Sequence, residues 1–133
     1  MTDTLWERFD IGNKINAILR DIVKDDPQHY GQPFFTAYQL AIEISSRYPD
    51  DFAAMGKPVG GEGTGQPNSL SQYLAGEISR RIKSGKIRNI EIAFVHSRYV
   101  REMTFRHKGE SVRASTPEAG FPISIFRLVS ESD

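Results

Sequence analysis

The sequence predicts an α+β fold in which three helices precede a small antiparallel sheet. Two observations predict it. Apolar residues recur at three- and four-residue spacing as far as Ile82, and beyond Gly85 the spacing becomes two. Helix-opening signatures stand at Thr36 and Ser69, and a glycine stands at position 85, where a helix C-terminus calls for one. The 133 residues, 38% hydrophobic and 26% charged, suit one domain, residues 1–133, with a core large enough to need no cross-link.

The first helix is expected over residues 11–24. Ile11, Ile15, Ile18, Leu19, Ile22 and Val23 form its apolar stripe, and Asp10 is a candidate N-cap. Trp6 and Phe9 are expected to pack at its start. Asp25-Asp26-Pro27 ends it, because a residue before proline avoids the α region. Residues 28–33 read as a connector. Thr36-Ala37-Tyr38-Gln39 matches a capping box, and Leu40, Ala41, Ile44 and Tyr48 continue inward from it. Pro49 stops this second helix, with a short turn over 50–55. Residues 56–67 hold five glycines in twelve positions and read as a loop, the one candidate internal boundary. The third helix is expected over 69–84, with Ser69 to Gln72 as its capping box. Leu70, Tyr73, Leu74, Ile78 and Ile82 face the core, and Arg80, Arg81 and Lys83 suit the negative helix end.

Strands follow. Ile90, Ile92 and Phe94 alternate with Glu91, Ala93 and Val95. Residues 99–106 read as a second strand with Tyr99, Met103 and Phe105 on one side, Lys108-Gly109 as a tight turn, and 110–115 as the returning strand. Residues 117–122 read as a loop and 123–128 as a last strand. The expected sheet is an antiparallel meander, and most aromatic side chains are expected in the core.

Composition removes several function classes. There is no cysteine, so disulfides and thiolate metal sites are excluded. No stretch has the length and hydropathy to cross a bilayer, and the first residues lack the pattern of a secretory signal, which leads to the expectation of a cytoplasmic protein. His29, His96 and His107 do not pair at metal-ligand spacing, and no Gly-x-Ser-x-Gly elbow is present. Asp25-Asp26 and Asp50-Asp51 flank prolines as turn residues. No metal, no cofactor and no enzyme activity are expected. The net charge is zero but uneven. Residues 1–55 hold nine acids against five bases, whereas residues 77–113 hold ten bases against four acids.

Three helices followed by a basic β-hairpin resemble the element order of a winged helix-turn-helix domain, over most of the chain. In such domains the third helix enters the major groove. The face opposite Leu70, Leu74 and Ile78 is expected to present Ser71, Gln72, Ala75, Gly76, Ser79, Arg80 and Lys83. Gln and Arg can read base edges while Ser and Lys hold phosphates. Arg106-His107-Lys108-Gly109 would be the wing, with Arg98, Arg101 and Arg113 widening its footprint. The expected nucleic-acid site is therefore Ser71, Gln72, Ser79, Arg80, Lys83, Arg106, Lys108 and Arg113, with duplex DNA as partner, as in a transcriptional regulator or DNA-associated accessory protein. About twenty residues separate the second and third helices, far more than the short turn of a plain helix-turn-helix. Two other functions are compatible with the same residues. One is an adaptor domain whose acidic and basic faces meet a partner chain or a second copy. The other is phosphate or nucleotide binding by Gly60, Gly61, Gly63, Thr64 and Gly65 ahead of a helix N-terminus, although no Gly-Lys-Ser/Thr ending marks a P-loop. Tyr30, Tyr38 and Tyr99 are candidates for stacking on bases, Tyr99 with Arg98 and Arg101 beside it.

Overall fold

A computed structural model describes residues 4–21, 32–60, 69–96, 98–99, 103–113 and 123–129. Among these residues ten elements follow one another: α1 (Leu5–Arg8), α2 (Ile11–Asp21), β1 (Phe35–Thr36), α3 (Ala37–Arg47), α4 (Pro49–Met55), α5 (Leu70–Lys83), β2 (Ile90–Val95), β3 (Thr104–His107), β4 (Glu110–Arg113) and β5 (Ile123–Leu128). The α+β class and its small antiparallel sheet are as expected.

The helix ends follow local chemistry. Thr4 caps α1 through a bond from the Glu7 amide, and Trp6 on that turn is buried. Asp10 then takes a left-handed backbone (φ 54°), and its carboxylate accepts from the Asn13 side chain at 2.9 Å. The expected simple N-cap at Asp10 is therefore a strained corner between two helices. Helix α2 buries Ile11, Ile15, Ile18 and Leu19, the predicted stripe; Ile22, Val23 and the Asp25-Asp26-Pro27 stop lie outside the described residues. The Thr36 capping box is complete, with Gln39 N–H donating to Thr36 Oγ1 and Thr36 N–H to Gln39 Oε1. Pro49 ends α3 and also opens α4, where its missing N–H costs nothing. The expected short turn is thus a helix, closed by Gly56 at φ 71°. Lys14 holds α2 against α4. Its ammonium donates to the Phe9 carbonyl, lies 3.1 Å from Asp51 and sits over the Tyr48 ring.

The sheet is not a meander. Strand β5 lies between β1 and β2, antiparallel to both, while β3 and β4 form a separate ribbon. Register pairs Phe126 with Phe35 on one side and with Ile92 on the other. Strand β1 has only two residues and was not expected at all. The strand expected over 99–106 is shorter, beginning at Thr104. Tyr99 lies ahead of it in a turn, at φ 69°. The predicted tight turn stands: Lys108 (φ 54°) and Gly109 (φ 79°) are both left-handed, as a two-residue type I′ hairpin requires.

The core draws on α1, α2, α3, α4, the segment after α4, α5, β2 and β5, and Phe126, Ile11, Ile15, Ile18, Leu40, Ile44, Leu70, Leu74 and Ile78 are fully enclosed. A second cluster joins Tyr38 and Ile123 to Val95, Met103, Phe105 and Val112. It fixes the ribbon to the start of α3, where the Tyr38 and Phe105 rings stack at 5.4 Å. Among the described residues no helix is long and apolar enough to cross a membrane.

Candidate nucleic-acid interface

Helix α5 is held by residues that fill one side of it. Leu70, Leu74 and Ile78 are completely buried and Ser71 is only 5% exposed. The opposite side is centred on Gly76, with Gln72, Arg80 and Lys83 exposed and Ser79 half-buried around it. Gln72, Ser79, Arg80 and Lys83 therefore share a face.

Ser71 does not belong to it. The apolar stripe of a helix covers more than 100°, and Ser71 falls within that arc, one helical step from Leu74 and Ile78. The backbone after α4 lies directly over it. Gly60 approaches so closely that a Cβ there would stand 2.2 Å from Ser71 Oγ. Ala75 also turns inward, packing against the core rather than outward.

The same segment closes the N-terminus of α5. Leu70 N–H donates to the Pro58 carbonyl at 2.7 Å and Ser71 N–H to the Val59 carbonyl at 3.0 Å, while Gln72 N–H donates to Ser69 Oγ. The first-turn donors that a phosphate would need are already engaged by the chain itself. Gly60 is a packing glycine, buried at φ 130°, and not part of an open cradle. Gly61, Gly63, Thr64 and Gly65, the rest of the expected anion loop, lie outside the described residues.

Charge on α5 is arranged around Glu77. Its carboxylate takes Arg80 at 2.5 Å and Arg81 at 3.2 Å. Arg81 is further held over the Trp6 ring at 4.5 Å, so it serves packing. Arg80 is two-thirds exposed, and surface pairs of this kind contribute only about 0–1 kcal/mol. Releasing Arg80 to an external phosphate therefore costs little. Lys83, Lys86 and Arg88 are exposed beyond it and extend the positive end of the helix.

The ribbon places its cations differently. Lys108 stands exposed at the tip. Arg106 is exposed too, but it lines a groove of about 400 Å³ with Gln39, Ile42 and Glu43 of α3. It thus faces the flank of α3, where Glu43 is already paired with Arg47 at 2.9 Å, instead of extending the α5 face. Arg113 ends β4 as the register partner of Thr104, and its side chain lies outside the described residues, as does Arg101. A second concavity of about 430 Å³ lies between the α1–α2 corner and the α5–β2 corner. Several of its polar groups pair with one another, Asn13 with Asp10 and Asn89 with Asn16.

Among the stacking candidates, Tyr38 is in the second core cluster, Tyr30 is outside the described residues, and Tyr99 is 95% exposed. Phe94, expected in the core, is 62% exposed. Sequence alternation misjudged it because Phe94 lies beyond the helices that cover Ile90 and Ile92 on the same sheet face.

Comparison with known proteins supplies no relative. No family model, no curated protein and no solved structure matches the chain.

Proposed function

We propose that the protein is a nucleic-acid-binding domain of winged-helix type, working in the cytoplasm, that presents the outer face of α5 to duplex DNA. The observation that carries this reading is that Gln72, Arg80 and Lys83 are exposed together around Gly76, on a helix whose other side is locked into the core. The small centre lets the helix approach a groove closely, with glutamine and arginine placed for base edges and lysine for a phosphate. Element order adds support: two helices, a short strand, three helices, a strand, a ribbon and a central closing strand resemble a winged helix to which α1 and α4 are added. Lys108 at the ribbon tip supplies a second backbone contact.

Titration against random duplex at two salt concentrations tests it. With Arg80, Lys83 and Lys108 each neutralising a phosphate, a fourfold rise in salt weakens binding on the order of fortyfold. The R80E/K83E variant abolishes binding and keeps its circular dichroism, since both residues are exposed. Salt-independent binding, or a variant that binds like the parent, removes α5 from the proposal. Self-association without any DNA affinity would favour the adaptor reading instead.

A further inference from the structure

We infer that the end of β2 and the turn after it form a stacking platform for the unpaired bases of a single-stranded nucleic acid, an inference that rests on the nucleic-acid reading above and adds a second substrate form to it. Phe94 and Tyr99 are the two most exposed of the large apolar side chains among the described residues. Neither is there to fill the core. Phe94 points from the face of β2 that carries Ile90 and Ile92, but its cross-strand partner is Ser124, too short to cover a ring. Tyr99 is held at φ 69°, a backbone region that side chains of its size rarely occupy and that tends to persist where function requires it. The turn that carries Tyr99 is closed from within, the Arg98 amide donating to His96 Nδ1 at 2.8 Å. That bond ties the backbone just before Tyr99, whose ring is 95% exposed.

The surroundings select the occupant. Among the described residues from Phe94 to Gly109, Arg98 and Lys108 are exposed permanent cations and Arg106 is a third, turned toward α3, while Glu110 follows as the register partner of His107; Arg101 and Glu102 lie outside the described residues. Val95 ties the strand to Met103 and Phe105 of the ribbon, so the cations and the aromatics belong to one structural unit. Bare π-faces interleaved with cations match a chain of bases on a phosphate backbone. Paired bases hide their faces in the stack and show only edges, so the occupant is single-stranded, while duplex remains the ligand of α5.

Fluorescence anisotropy with an oligothymidylate of about sixteen nucleotides and a duplex of similar length separates the two surfaces. The full chain is expected to bind the oligothymidylate, and F94A/Y99A to lose about tenfold or more of that affinity while binding duplex as before. The F94L/Y99L variant keeps apolar bulk without the π-face and should lose the same affinity, which guards against an effect on folding. Aromatic-dependent binding of oligothymidylate without duplex binding would sustain this inference and remove the α5 reading. Duplex binding with no affinity for oligothymidylate, or equal affinity in the parent and both variants, overturns the inference and leaves the α5 reading in place. A change in sedimentation in the variants with oligothymidylate binding untouched also overturns it, and assigns the aromatics to contact between two copies.

Discussion

Gly60 shows how much one missing side chain can decide. Its φ of 130° is rarely open to other residues, and the site of its absent Cβ is 2.2 Å from Ser71 Oγ. Gly60→Ala is expected to cost about 3 kcal/mol, combining backbone strain with overpacking, read as a lower urea midpoint. Adding Ser71→Ala should recover most of the steric part and leave the strain and the 3.2 Å approach of Ser69. A Gly60→Ala midpoint equal to the parent's would contradict the packing described. The same contact explains why Ser71 was misjudged. Helical spacing alone puts it at the margin of the stripe, and only the return of the segment after α4 across the helix start covers it. Phe94 and Tyr99 fail for the converse reason. Alternation says which side of a strand a residue takes, but not where the core beneath that side ends.

Among the elements, the start and stop of α3 were legible because their signals are local, although Tyr48, expected on its buried stripe, is its half-buried C-cap, and Tyr38 is buried. The Thr36 hydroxyl and the Gln39 amide lie within one turn and satisfy each other's backbone. Thr36→Ala is expected to lower stability by about 1 kcal/mol, and Thr36→Ser by much less, measured by thermal unfolding. Equal losses for both would show that the threonine methyl matters more than the cap. Helix α5 was readable at both ends, from Ser69 to the left-handed Gly85, with only the Ser69 half of the expected capping box given among the described hydrogen bonds. The hairpin turn was legible too, since Lys108-Gly109 is a pairing of adjacent residues. Strand β1 was not, because two residues carry no periodicity and their partners, Phe126 and Ile125, come from the far end of the chain.

For the whole molecule, the decisive pairing is β5 between β1 and β2, which a reading of consecutive strands turns into a meander. Phe126 stands where this central strand meets the helices, fully enclosed and flanked in register by Phe35 and Ile92. Phe126→Ala is expected to cost about 3–5 kcal/mol, a large share of the roughly 5–15 kcal/mol that holds a domain of this kind folded. Guanidinium unfolding should show the loss, and a change below about 1 kcal/mol would mean that β5 is not the keystone of the sheet. The candidate site divides in the same way. The Gln72, Ser79, Arg80 and Lys83 face was legible from helical periodicity, because one helix sets it. The placement of Arg106 along the groove beside α3 was not, because it depends on the ribbon folding onto that helix.

The close approach of Gly60 to Ser69 has a practical side. Two chain positions held this close fix both ends of whatever length of chain joins them, so most of the entropic cost of closing an excursion between them is already met. Doubling such an excursion adds only about 0.6 kcal/mol. The stretch between these two positions is therefore where a reporter or affinity handle can be spliced into the protein, leaving the amide bonds that Pro58 and Val59 make with α5 to re-form around it.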